Sequence, residues 1–135
     1  MVNKVNNNPY NKQTCDCVVR SIACATGMEY FEVVNKLLQI YINTGYHIAD
    51  KKCYYKLLKE LGYTRIQQPK KEDSSKYTGK EFCLQLIKDN KLSSSVIAHI
   101  GTHHVVCIKD GVIQDTQDCS NKYVGVVWIK LKEVI

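Results

Sequence analysis

Gln13-Thr14-Cys15-Asp16-Cys17-Val18-Val19-Arg20-Ser21-Ile22-Ala23-Cys24-Ala25-Thr26-Gly27 is the stretch around which the chain is organised. Gly27 is a natural helix stop, because it takes the left-handed conformation beyond the last turn without strain. Read backwards from it, Val18, Ile22 and Ala25 fall on one helical face, with Val19, Ala23 and Thr26 beside them. The spacing predicts a helix of about ten residues, buried on at least one side. Asp16 stands ahead of the apolar run as an expected N-cap. Cys17 then enters the first turn, where unsatisfied N–H groups and the helix dipole favour an anion. A thiol placed there titrates lower and reacts more readily as thiolate.

A second stretch carries the rest of the chemistry: His103-His104-Val105-Val106-Cys107-Ile108-Lys109-Asp110-Gly111-Val112-Ile113-Gln114-Asp115. Asp110-Gly111 predicts a two-residue type I′ hairpin loop, which sets Lys109 opposite Val112, Val106 opposite Asp115 and His104 opposite Gln117. Alternation then puts His104, Val106, Ile108, Ile113, Asp115 and Gln117 on one face. That face is the more apolar near the turn, so it is expected to meet the helices. His104 and Asp115 would lie diagonally across the ladder within reach of each other, and His103 would point away. A carboxylate beside an imidazole fixes its tautomer and stabilises the imidazolium, which in turn favours a nearby thiolate.

Between these stretches the pattern is helical. Residues 29–42 carry Tyr30, Val33, Val34, Leu37, Leu38 and Tyr41 on one face and end at Asn43-Thr44-Gly45. Asp50 is the expected N-cap of a third helix that closes at Gly62. A short strand is expected at 63–66, and residues 66–80, without periodicity, read as a surface loop. A fourth helix covers 79–90 with Phe82, Leu84, Leu86 and Ile87. The period then changes to that of strands at 95–100, 105–108, 112–114 and 123–131. Helices first and an antiparallel sheet last give an α+β domain. Residues 1–135 are expected to form one domain, with 1–12 an extended, Asn-rich arm.

The chain has 135 residues, 44% of them hydrophobic and 24% charged, with a formal charge of +6. No apolar run approaches the ~20 residues that span a bilayer, so no membrane partner is expected. The first residues lack the apolar core of a signal peptide, which predicts a cytoplasmic protein. Lysines are spread along the chain among acids with no basic stripe, so nucleic acid is not expected as a partner. The seven cysteines are expected to be reduced, with Cys24, Cys53, Cys83 and Cys107 filling the core. Cys15 and Cys119 lie in polar, turn-like surroundings.

The residues Asp16-Cys17-Val18-Val19-Arg20-Ser21-Ile22-Ala23 and Gly101-Thr102-His103-His104 through Asp115-Thr116 resemble the papain-like cysteine peptidase superfamily. The likeness is greatest to its small bacteriocin-leader-peptidase-like and phage-encoded members. The resemblance implies a cysteine-bearing helix packed on a sheet that carries the histidine and then the carboxylate. It implies Cys17 as nucleophile, His104 as general base and acid, and Asp115 as orienting carboxylate. The superfamily places an oxyanion-hole Gln six residues before the cysteine. Here Asn11 holds that position and Gln13 stands four before, so either amide is a candidate donor beside the Cys17 N–H. The implied reaction is acyl transfer from an amide, ester or thioester, with a peptide or protein as substrate and no cofactor or metal. Two rival readings are a catalytically silent papain-like module that binds a host or partner protein, and a zinc site from Cys15, Cys17, His103 or His104, Cys107 and Cys119.

Overall fold

Left-handed glycines at positions 27 and 45 and a capping box punctuate the helices in the computed structural model, which describes residues 2–12, 15–89 and 95–130. Helix α1 runs Cys17–Thr26 and stops at Gly27, whose φ is +76° and whose N–H bonds to the Ala23 carbonyl at 2.9 Å. Helix α2, Tyr30–Thr44, stops in the same way at Gly45. The Asp50 carboxylate accepts from the Lys52 N–H and opens α3, Lys51–Glu60. Before α4, Gly79–Lys88, the Thr78 hydroxyl accepts from the Glu81 N–H and Glu81 accepts from the Thr78 N–H. The buried stripes follow the 3.6 period, with two shifts. In α2 it is Val33, Leu37 and Ile40 that are buried, while Leu38 and Tyr41 are more than a third exposed. In α4, Phe82 and Cys83 are buried, while Leu84 and Ile87 face outward.

The strands are β1 (Val2–Lys4), β2 (Thr64–Ile66), β3 (Ser95–Ile100), β4 (His104–Lys109), β5 (Val112–Asp115) and β6 (Val124–Ile129). They form one sheet in the order β1-β5-β4-β3-β6-β2. The fold is α+β, with four helices on a six-stranded sheet. The hairpin register is the one its loop dictates. Lys109 faces Val112, Ile108 faces Ile113, and both Asp110 and Gly111 have positive φ, as a type I′ turn requires. The sheet is mixed rather than purely antiparallel, because β1 runs parallel to β5. Residues 2–4 therefore form a strand, where the sequence suggests only an arm. Pairing at a sheet edge uses backbone groups, so Asn3 and Lys4 can join it with exposed side chains and no apolar alternation.

One expectation about the sheet faces is reversed. Ile22, Leu37, Leu57 and Leu58 of α1–α3 pack with Ile97, Val105 and Trp128. Val106, Ile108 and Ile113, assigned from the sequence to that layer, pack instead with Phe82 and Cys83 of α4 on the opposite face. Val105-Val106-Cys107-Ile108 is apolar on both sides, so alternation gives no contrast for choosing a face. Among the described residues no helix is long and apolar enough to cross a membrane.

Candidate active site

His104 is the first residue of β4 and Asp115 the last of β5, so the two meet at the open end of the hairpin, away from its turn. The N-terminus of α1 reaches the same place. Ser21 of α1 donates its hydroxyl to the Val105 carbonyl at 2.9 Å, which pins the helix to β4 one residue from His104. This is how Cys17 meets His104 although the neighbouring residues Val106 and Ile108 face α4.

The His104 Nε2 atom lies 2.6 Å from Asp115 Oδ2. The imidazole also interacts with the Cys17 thiol at the start of α1. Both interactions favour the charged ring: the Asp115 hydrogen bond first and the Cys17 bond next outweigh burial and push His104 up to about 9. Burial by itself would raise the Cys17 thiol. The His104 hydrogen bond, a backbone bond from Val105 and the positive charges of His104 and Arg20 outweigh it and bring the thiol below its ordinary value. Both shifts run in the direction that favours an imidazolium beside a thiolate.

Asp115 is 2% exposed and fully engaged. Oδ1 accepts from the Thr116 N–H at 2.8 Å and from Arg20 Nη1 at 3.2 Å. Oδ2 faces His104, with the buried Cys119 thiol at 3.8 Å. Burial favours the neutral acid, but the hydrogen bonds and charge of His104, together with Thr116 and Arg20, hold the carboxyl below its usual range. On the far side Arg20 Nε donates to Asp16 Oδ1 at 2.8 Å. Asp16 Oδ2 accepts from Asn8 Nδ2 at 2.9 Å and from the Tyr30 hydroxyl at 2.7 Å. Burial would raise Asp16 as well, and these three donors bring it down. Asp16 occupies the N-cap position as expected, but its carboxylate makes no capping bond to the helix backbone. A guanidinium one turn along offers a charge-assisted bond, which outcompetes a backbone N–H.

The structure thus brings together Cys17, His104 and Asp115 of the residues singled out from sequence. His103 is exposed and precedes the strand. Asn11 is exposed, with φ +53°, and its Oδ1 accepts from Asn6 Nδ2 at 3.5 Å, so its described side-chain contact is with Asn6. Gln13 lies outside the described residues. Cys15 is exposed, whereas Cys119 is buried beside Asp115. The zinc set suggested by the sequence is not assembled as such, because Cys107 pairs with Cys24 of α1. Among the described residues the group close enough to share an ion is His104, Asp115 and Cys119, within 4.8 Å of one another.

Sequence reasoning missed Arg20, Asn8 and Tyr30 as parts of the site, and it named Cys119 only as a candidate zinc ligand. Arg20 had a signal: it is the one charged residue of an otherwise apolar helix, four positions after Asp16. Asn8 and Tyr30 had none, since their role depends on where distant segments dock. No protein-family model matches the chain, and no curated protein or solved structure gives a significant match.

Proposed function

We propose that the chain is a papain-like cysteine hydrolase that transfers an acyl group from an amide, ester or thioester to water, with a peptide or protein as substrate. One observation carries the reading: a single imidazole lies 2.6 Å from a buried carboxylate and interacts with the thiol that opens α1. The Cys17 thiolate attacks the carbonyl carbon, and the negative charge moves to the carbonyl oxygen. The Cys17 backbone N–H stabilises that oxygen, with Gln13 or Asn11 as second donor. The His104 imidazolium gives its proton to the leaving group as the bond to carbon breaks. His104, now neutral, takes a proton from water, which attacks the thioester and releases the acid and the Cys17 thiolate. Asp115 holds the ring in orientation and offsets its charge throughout.

The test is alkylation of each cysteine with iodoacetamide as a function of pH, read by peptide mass spectrometry. Cys17 should label well below its ordinary range, and His104→Ala should abolish that. If Cys17 labels as an unperturbed thiol in the native protein, the reading fails. The silent-module reading draws on Asn11, which is tied to Asn6. An acidic Cys17 thiolate with no turnover of any ester, amide or thioester would favour it.

A further inference from the structure

The hairpin alone leaves the Asp115 side chain free to turn. Asp115 ends β5, and the described β4–β5 pairing stops at Cys107 and Gln114. Its backbone is held from the other edge, where the Val5 N–H donates to the Asp115 carbonyl at 2.9 Å. The carboxylate must be oriented by something else. Its Oδ1 is taken by Arg20 and the Thr116 N–H, which leaves Oδ2 for His104.

Arg20 is itself fixed. It is only 12% exposed, and its second carboxylate partner, Asp16, is 9% exposed and clamped by Asn8 and Tyr30. Arg20 stands three residues after Cys17, so the two side chains share one side of α1 at its first turns. A planar guanidinium can serve two carboxylates from separate N–H groups, whereas an ammonium acts as a point charge. We infer that Arg20 is a positioning residue for the hydrolysis: its guanidinium, anchored on Asp16, sets the Asp115 carboxylate toward His104 and locks the hairpin to the helical turn that carries Cys17. The inference rests on the proposed Cys17–His104 chemistry and assigns a role within it.

Arg20→Lys and Arg20→Met separate position from charge. The readout is the pH profile of Cys17 alkylation, with the pH profile of turnover wherever a substrate is in hand. A purely structural ion pair would change the melting temperature and leave that profile in place. Arg20→Lys should lower the Cys17 labelling rate near pH 6 by roughly tenfold, the change in thiolate for one pKa unit. Arg20→Met should lower it further. A wild-type profile in Arg20→Lys overturns the positioning role, and Arg20→Lys decides the matter if Arg20→Met does not fold. The two levels fail differently. If wild-type Cys17 labels at low pH and depends on His104 but Arg20→Lys changes nothing, only the role of Arg20 is lost. If wild-type Cys17 labels as an ordinary thiol, the hydrolase reading and the positioning role fall together.

Discussion

Helix α1 carries two thiols that meet the same strand, and they meet it differently. Cys17, at its first turn, faces His104 at the start of β4. Cys24, two turns on, faces Cys107 in the middle of β4. Cys24 is also acidified, to about 7, chiefly by the Cys107 hydrogen bond, with burial opposing and the charge of Lys109 assisting. Cys107 is pushed up in return, by the same bond and by burial. A low thiol pKa therefore does not single out a nucleophile in this protein. What separates the two is the partner. A buried thiol pushed upward cannot give a proton to a leaving group at neutral pH, whereas an imidazolium backed by a carboxylate can.

The comparison can be broken at several points. The largest effect should come from Asp115→Asn, which removes the counter-charge of the imidazolium and presents His104 with an amide. On the proposed hydrolase reading, turnover should fall by about 10⁴-fold, as in a Ser-His-Asp triad, while Cys24 alkylation is unchanged. Turnover that survives would mean that His104 acts without its carboxylate. A crossed pair of substitutions comes next. His104→Ala should move the labelling pH of Cys17 upward and spare Cys24. Cys107→Ala should do the reverse, lowering Cys24 labelling at pH 7 by roughly fivefold for a rise of one pKa unit from about 7. A shift of both thiols by either change would show one coupled network in place of two.

A smaller effect appears in stability against pH. The folded value of His104, about 9, lies above its ordinary 6.5. Its contribution is full below 6.5 and is lost as pH rises through about 9. The lowered Cys17 thiol has the opposite sign, adding stability toward alkaline pH, so in the wild type the two slopes oppose each other. Cys17→Ala should expose the His104 limb. Its urea midpoint should fall as pH rises from 6.5, with the upper end below 9 because the thiol's share is gone. A flat midpoint in that variant would mean that Asp115 does not hold the imidazolium. The smallest effect is Tyr30→Phe, which deletes one hydrogen bond to Asp16. It should cost about 1 kcal/mol in thermal or urea unfolding. It should also raise the Cys17 labelling pH slightly and leave Cys24 alone.

The helices were legible because their ends are written in single residues. Gly27 and Gly45 stop two of them, and Asp50 starts a third. The hairpin was legible because Asp110-Gly111 admits few turns, and with it came the His104–Asp115 contact. Three features were not legible. Strand β1 is specified by backbone pairing rather than by side-chain alternation. The faces of β4 are both apolar, so nothing local says which meets α1. The engagement of Asp16 depends on Asn8 and Tyr30, which approach from separate segments. The helix start and the hairpin register led to the cysteine, histidine and carboxylate but not to the arginine between two acids.

The pairing of β1 with β5 also has a meaning in time. Asn3 bonds Gln114 across 111 residues, and Arg20 reaches Asp115 across 95. The contacts that would activate Cys17 are thus among the most distant in the chain, and closing such long loops costs entropy before any contact repays it. On a ribosome the cysteine helix emerges long before its histidine exists. A proposed nucleophile wired in this way stays an ordinary thiol through synthesis and early collapse. It becomes acidic only when its helix and the β4–β5 hairpin have found each other, so its reactivity reports that long-range docking.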